Sequence, residues 1–112
     1  MLLPIADTGF IVGYCGRNAV QRKWAREAFE SLGAPFRTCE GAIIEATHFC
    51  SPELITRMVR DGDLLIDFSL ARQIDVINEL VRKYGDLEMD LTDACIVRMS
   101  ELATDQIGRA HV

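Results

Sequence analysis

The chain has 112 residues, 49% of them apolar and 26% charged, with a formal net charge of −5. These values describe one globular domain, residues 1–112, with a single core, and they speak against disorder. No apolar run approaches the roughly 20 residues of a membrane-spanning helix, and the acidic balance argues against a protein that holds nucleic acid by coating its phosphates with cations.

Met1-Leu2-Leu3-Pro4-Ile5 lacks a basic leader, so a cytoplasmic location is expected. The run Leu2 to Ala6 reads as a short buried strand, with Asp7-Thr8-Gly9 as a turn at its carboxyl end. Asn18 caps a helix from Ala19 to Leu32, where Val20, Trp24, Ala28 and Leu32 recur at fours before Gly33. The other face of this helix carries Arg22, Lys23, Arg26 and Glu30. Pro35 to Thr38 is extended, and Glu40 to Phe49 forms a helix of mostly small and apolar residues. Ser51-Pro52-Glu53 starts another helix, which ends near Asp61-Gly62.

Leu64 to Phe68 is the next strand candidate, and Ile74, Ile77, Leu80, Val81 and Tyr84 mark an amphipathic helix closed by Gly85. Asp90 caps a last helix whose Ala94, Cys95, Ile96, Val97, Met99 and Leu102 call for burial, and Gly108 is expected to break it. Ala110-His111-Val112 resembles the opening of a further strand. Strands alternating with helices, without hairpin signals, imply a parallel sheet covered on both faces.

Glu45 is the most informative residue, because it interrupts Ala42-Ile43-Ile44 and Ala46. An ionised carboxylate in apolar surroundings needs a cation, a metal or a raised pKa, unless the helix simply exposes that edge to water. Asp7 follows an apolar strand, the place where open α/β sheets bind ligands, and also suits a turn or cap. Asp90 and Asp93 are three apart, which brings both to one side of a helical first turn and equally suits capping. Taken together these acids suit a hard cation, Mg²⁺ or Mn²⁺, rather than zinc.

His48 stands three residues after Glu45, but a di-iron site needs a second such pair, so His48 reads as a packed or surface residue. Cys15, Cys39, Cys50 and Cys95 have no C-x-x-C spacing and read as free buried thiols. Nucleotide-binding glycine loops and the serine-hydrolase elbow are absent.

In order, Ala6-Asp7-Thr8-Gly9, Ile44-Glu45-Ala46, Arg82-Lys83-Tyr84-Gly85-Asp86-Leu87 and Met89-Asp90-Leu91-Thr92-Asp93-Ala94 resemble the PIN-domain family, and most of all the VapC-like ribonuclease toxins of toxin-antitoxin systems. The resemblance implies a three-layer α/β/α PIN-like domain with a central parallel sheet. It also implies that Asp7, Glu45 and Asp93 form a catalytic, metal-binding triad, with Asp90 as an accessory acid. The implied activity is metal-dependent hydrolysis of RNA phosphodiester bonds, with an antitoxin protein and a second copy of the chain as partners. Arg17, Arg22, Lys23 and Arg26 are candidates for steering RNA. The family's pattern continues past the strand expected at His111-Val112 into a further acidic segment, so the last strands are expected to be truncated at the C-terminus. Two alternatives follow: a catalytically inactive PIN-like protein-binding module, and a small phosphatase using the same acids.

Overall fold

The computed structural model describes residues 3–33 and 35–110, with side chains to residue 105. Its described elements, in chain order, are α1 (Thr8–Cys15), α2 (Ala19–Leu32), β1 (Phe36–Thr38), α3 (Glu40–Ala46), α4 (Pro52–Arg60), β2 (Leu64–Ile66), α5 (Ile74–Tyr84) and α6 (Leu91–Ala110), with a 3₁₀ turn at Gly85–Leu87 between the last two.

The expected three-layer α/β/α architecture around a central parallel sheet is overturned. Helices dominate, and the sheet among the described residues is one parallel pair, with Phe36 opposite Leu64, Arg37 opposite Leu65 and Thr38 opposite Ile66. A single parallel bridge, Ile5 with Arg37, lies beside it. Local chemistry explains why the extended runs stay short. Pro4 has no N–H to donate to a ladder, and Asp7 starts a helix directly after the bridge. The segment expected to be a turn, Asp7-Thr8-Gly9, therefore opens α1, with the Asp7 carboxylate accepting from the Phe10 N–H at 2.8 Å. At the other strand, Asp67 lies just past β2 and pairs with the Arg37 guanidinium at 2.8 Å. The strand expected at His111-Val112, and with it the expected truncation of the sheet, lies outside the described residues.

The helices follow their local signals more closely. Asn18 caps α2 by accepting from Gln21 N–H, and Gly33 ends it with φ +82°, a conformation glycine adopts without a Cβ clash. Pro52 occupies the first turn of α4. Gly108 does not break α6, whose backbone stays helical to Ala110.

The face assigned to α2 is corrected too. Val20, Trp24 and Leu32 are 80, 63 and 62% exposed, while Ala25 is buried and Phe29 packs on the core. Ala25 faces α1 at Gly13, where a Cβ would be in ordinary contact with the Ala25 methyl at 3.6 Å. With Ala25 packed on α1 and Phe29 stacked on Phe36, the buried side of α2 is fixed and Val20, Trp24 and Leu32 face outward. Ile44 is likewise 62% exposed rather than part of the core.

Packing runs from α1 onto α2 and α3, from α3 onto α6, from α5 onto α6, and from α4 onto β2. Phe36 is the centre of an aromatic stack, its ring 4.7 Å from that of Phe10 and 5.2 Å from that of Phe29. Ile11, Ile55, Leu64, Ile77 and Met99 complete the apolar interior.

Among these apolar groups lies the fully buried Thr38, whose hydroxyl donates to the Ala6 carbonyl at 2.8 Å. Thr38→Val keeps the shape but leaves that carbonyl one donor short. The expected outcome is a loss of about 1–2 kcal/mol in urea unfolding with an unchanged denaturant slope.

Candidate acidic site

Three backbone segments bring the acids together. Hydrogen bonds from Ala6 N–H to Arg37 O and from Arg37 N–H to Pro4 O, both 2.8 Å, hold the N-terminal segment along β1. Asp7 therefore emerges beside α3, which follows β1 directly. The first turn of α6 meets α3 across Gly41, where a Cβ would lie 2.6 Å from Thr92 Oγ1. A side chain there would displace that of Thr92, so glycine favours the approach that carries Asp93 towards Glu45.

The result is a cavity of about 250 Å³ lined by Asp7, Thr8, Gly9, Glu45, Thr92, Asp93, Ile96 and Val97. Asp7, Glu45 and Asp93, separated by tens of residues in the chain, all reach it. Asp90 does not line it. Thr8, Gly9 and Thr92, neighbours of the marked acids, join the wall, as do Ile96 and Val97 one turn further along α6. Helical spacing from Asp93 is the signal that points to these last two.

Each acid has a distinct local role. Asp7 uses Oδ1 to cap α1. Asp90 Oδ1 accepts from Asp93 N–H at 2.8 Å, while Asp93 Oδ2 accepts from Asp90 N–H at 3.3 Å, a reciprocal capping arrangement at the start of α6. These caps engage one carboxylate oxygen of Asp7 and one of Asp93, leaving the other outside the cap. Glu45 is different. It is half-buried, and its Oε2 is enclosed by protein without any hydrogen-bond partner.

A carboxylate oxygen with no donor is a costly arrangement unless a cation or proton joins it. The donor set, oxygen atoms only, fits Mg²⁺ or Mn²⁺ in chemical type. As the side chains stand, no three Asp, Glu, His or Cys residues among those described are gathered closely enough to hold a metal ion.

The basic residues considered for RNA steering are partly engaged elsewhere. Arg22 reaches the Gly16 carbonyl at 3.4 Å, and the Arg26 guanidinium lies 5.4 Å from the centre of the Tyr14 ring. Arg17 and Lys23 are exposed, Arg17 beside His48 in a separate cavity. His48 is a surface residue.

The four thiols are free and fall into two spatial pairs that their spacing in the chain does not announce. Cys15 and Cys50 line one cavity, and Cys39 and Cys95 another. Burial, reinforced by Cys50, pushes the Cys15 thiol up to about 12. Burial, reinforced by Cys39, pushes Cys95 up to about 11. Because the thiolate is the reactive form, both are protected at neutral pH. Alkylation of Cys15 by iodoacetamide at pH 8 is expected to run at least ~100-fold slower in the folded chain than in urea, and to accelerate about tenfold per pH unit up to pH 10. Peptide mapping of the labelled protein checks this, and equal rates would refute it.

No family model matches the chain, and comparison with curated proteins and with solved structures likewise returned no match.

Proposed function

We propose that the cavity of Asp7, Glu45 and Asp93 binds a divalent cation, Mg²⁺ or Mn²⁺, and hydrolyses RNA phosphodiester bonds. One observation carries the proposal: acids from three distant segments line one small cavity, and an oxygen of one of them is buried without a partner. The motif resemblance supplies the substrate class. When bound, such a cation activates water and offsets charge on the phosphoryl oxygens. Glu45 would hold it through the enclosed oxygen, and Asp7 and Asp93 through the oxygens outside their caps.

The chain's own groups do the rest. Ile96 and Val97 form the apolar side of the cavity, which limits water and strengthens the field of the acids. The helix starts capped by Asp7 and Asp93 fix the position of both carboxylates.

Asp7→Asn tests the proposal with little disturbance of the fold, because asparagine caps a helix about as well as aspartate. Cleavage is expected to fall by more than the roughly 10–100-fold that loss of an outer partner costs at a metal site. Thermal unfolding without metal should be unchanged or shifted upward, since one negative charge leaves the cavity. A parent protein that neither binds Mg²⁺ or Mn²⁺ in calorimetry nor cuts RNA would refute the nuclease reading.

A second reading, a catalytically inactive protein-binding module, is favoured by the outward apolar residues Val20, Trp24 and Leu32 on α2. Under either reading the proposed partners are an antitoxin-like protein and a second copy of this chain, for which this face offers apolar contact. No helix among the described residues is long and apolar enough to cross a membrane. Self-association predicts a light-scattering mass near twice 12.5 kDa that returns to the monomer value in Trp24→Glu; a parent that stays monomeric at high concentration would exclude it.

A further inference from the structure

A second cavity, of about 570 Å³, lies next to the acidic one. The same two helices build it: α3 contributes Glu40, Gly41 and Ile44, and the first turns of α6 contribute Leu91, Thr92 and Cys95. Thr92 lines both cavities. The segment after β2 closes the larger one with Phe68, Ser69, Leu70 and Ala71.

The apolar side chains around this cavity are unusually open. Ile44, Leu70 and Leu91 are 62, 37 and 50% exposed, and Phe68 is half-buried. Their clustering at one concavity distinguishes them from scattered surface hydrophobics, which need no explanation. The size falls within the range of about 300–1,000 Å³ for small-ligand sites, and such sites combine an apolar lining with a few polar groups.

The lining also restricts the ligand. It contains neither lysine nor arginine, and Glu40 stands at its rim, so an anion is repelled. A neutral flat ring with an apolar face and N–H donors at its edge is suited to it. Phe68, Leu70 and Leu91 offer apolar surface to the ring, and the Glu40 carboxylate accepts from its edge, as acidic side chains accept from base amino groups.

We propose that this cavity is a nucleobase subsite, which seats one base of an RNA strand while the strand's backbone passes the acidic cavity on the other side of Thr92. The identity of the ligand rests on the ribonuclease reading, whereas the existence of the subsite is testable apart from it. The phosphates of the strand stay outside the apolar cavity, and base contact there brings one phosphodiester to Asp7, Glu45 and Asp93. Recognition through Glu40 favours bases that present an amino or imino edge.

Calorimetric titration of the whole chain with AMP, GMP, CMP, UMP and ribose 5-phosphate, in EDTA, separates the base from the sugar and phosphate. At least one nucleotide is expected to bind ten times more tightly than ribose 5-phosphate. Leu70→Asp should abolish that difference, Glu40→Gln should weaken it for the preferred base, and Asp7→Asn should leave it intact. Ile44→Ser, at a still more exposed position, serves as a second variant if Leu70→Asp fails to fold, and carries the same expectation.

Equal binding of all four nucleotides and ribose 5-phosphate by the parent overturns the subsite, as does a base preference that survives in the folded variants. Base-dependent binding by a parent that cuts no RNA upholds the subsite and removes the nuclease reading. RNA cleavage without base-dependent binding does the reverse.

Discussion

The short contact between the N-terminal segment and β1 positions almost everything else. The Ala6 N–H donates to the Arg37 carbonyl, the Arg37 N–H donates to the Pro4 carbonyl, and the buried Thr38 hydroxyl closes on the Ala6 carbonyl. In an apolar interior such a bond carries weight because its loss would leave a carbonyl without one of its donors. It sets where α1 begins, and so where Asp7 stands. It also carries Phe36 between the rings of Phe10 and Phe29, joining α1, β1 and α2 in one aromatic stack.

The acidic cavity is built from helix starts. Asp7 begins α1, and Asp90 and Asp93 begin α6 in a reciprocal cap, so the field of each helix favours a carboxylate there before any ligand is considered. Glu45 has no such local partner. Its enclosed oxygen is the one feature of the cavity that capping does not account for, and it is the reason the cavity is read as a binding site rather than as a meeting of caps.

Small residues decide how closely the helices approach. Gly13 admits Ala25, and Gly41 admits Thr92. The first contact, together with Phe29 on Phe36, leaves Val20, Trp24 and Leu32 at the surface; the second brings α3 to α6 and places the acidic and apolar cavities on either side of Thr92. The acidic cavity and the mostly apolar one thus share a wall, an arrangement suited to a ligand with a charged backbone and a flat neutral branch.

Much of the local structure was legible in the residues themselves. Asn18 and Gly33 delimit α2, Ser51-Pro52 opens α4, and the apolar spacing from Ile74 to Tyr84 describes α5, because caps, glycine and proline act over a few residues. The acids at Asp7, Glu45 and Asp93 were also marked by local pattern. Their common cavity is a tertiary fact, produced by the β1 contact and by the close approach at Gly41. The extent of the sheet was not legible, since apolar runs near Ile5 and Leu64 leave open whether an extended segment pairs for three residues or for six. At the N-terminal run, Pro4 and the helix that starts at Asp7 decided it. The outward turn of Val20 and Trp24 was equally hidden, because periodicity reveals that a helix has an apolar stripe, whereas the packing of Ala25 on α1 and of Phe29 on Phe36 decides which stripe is buried.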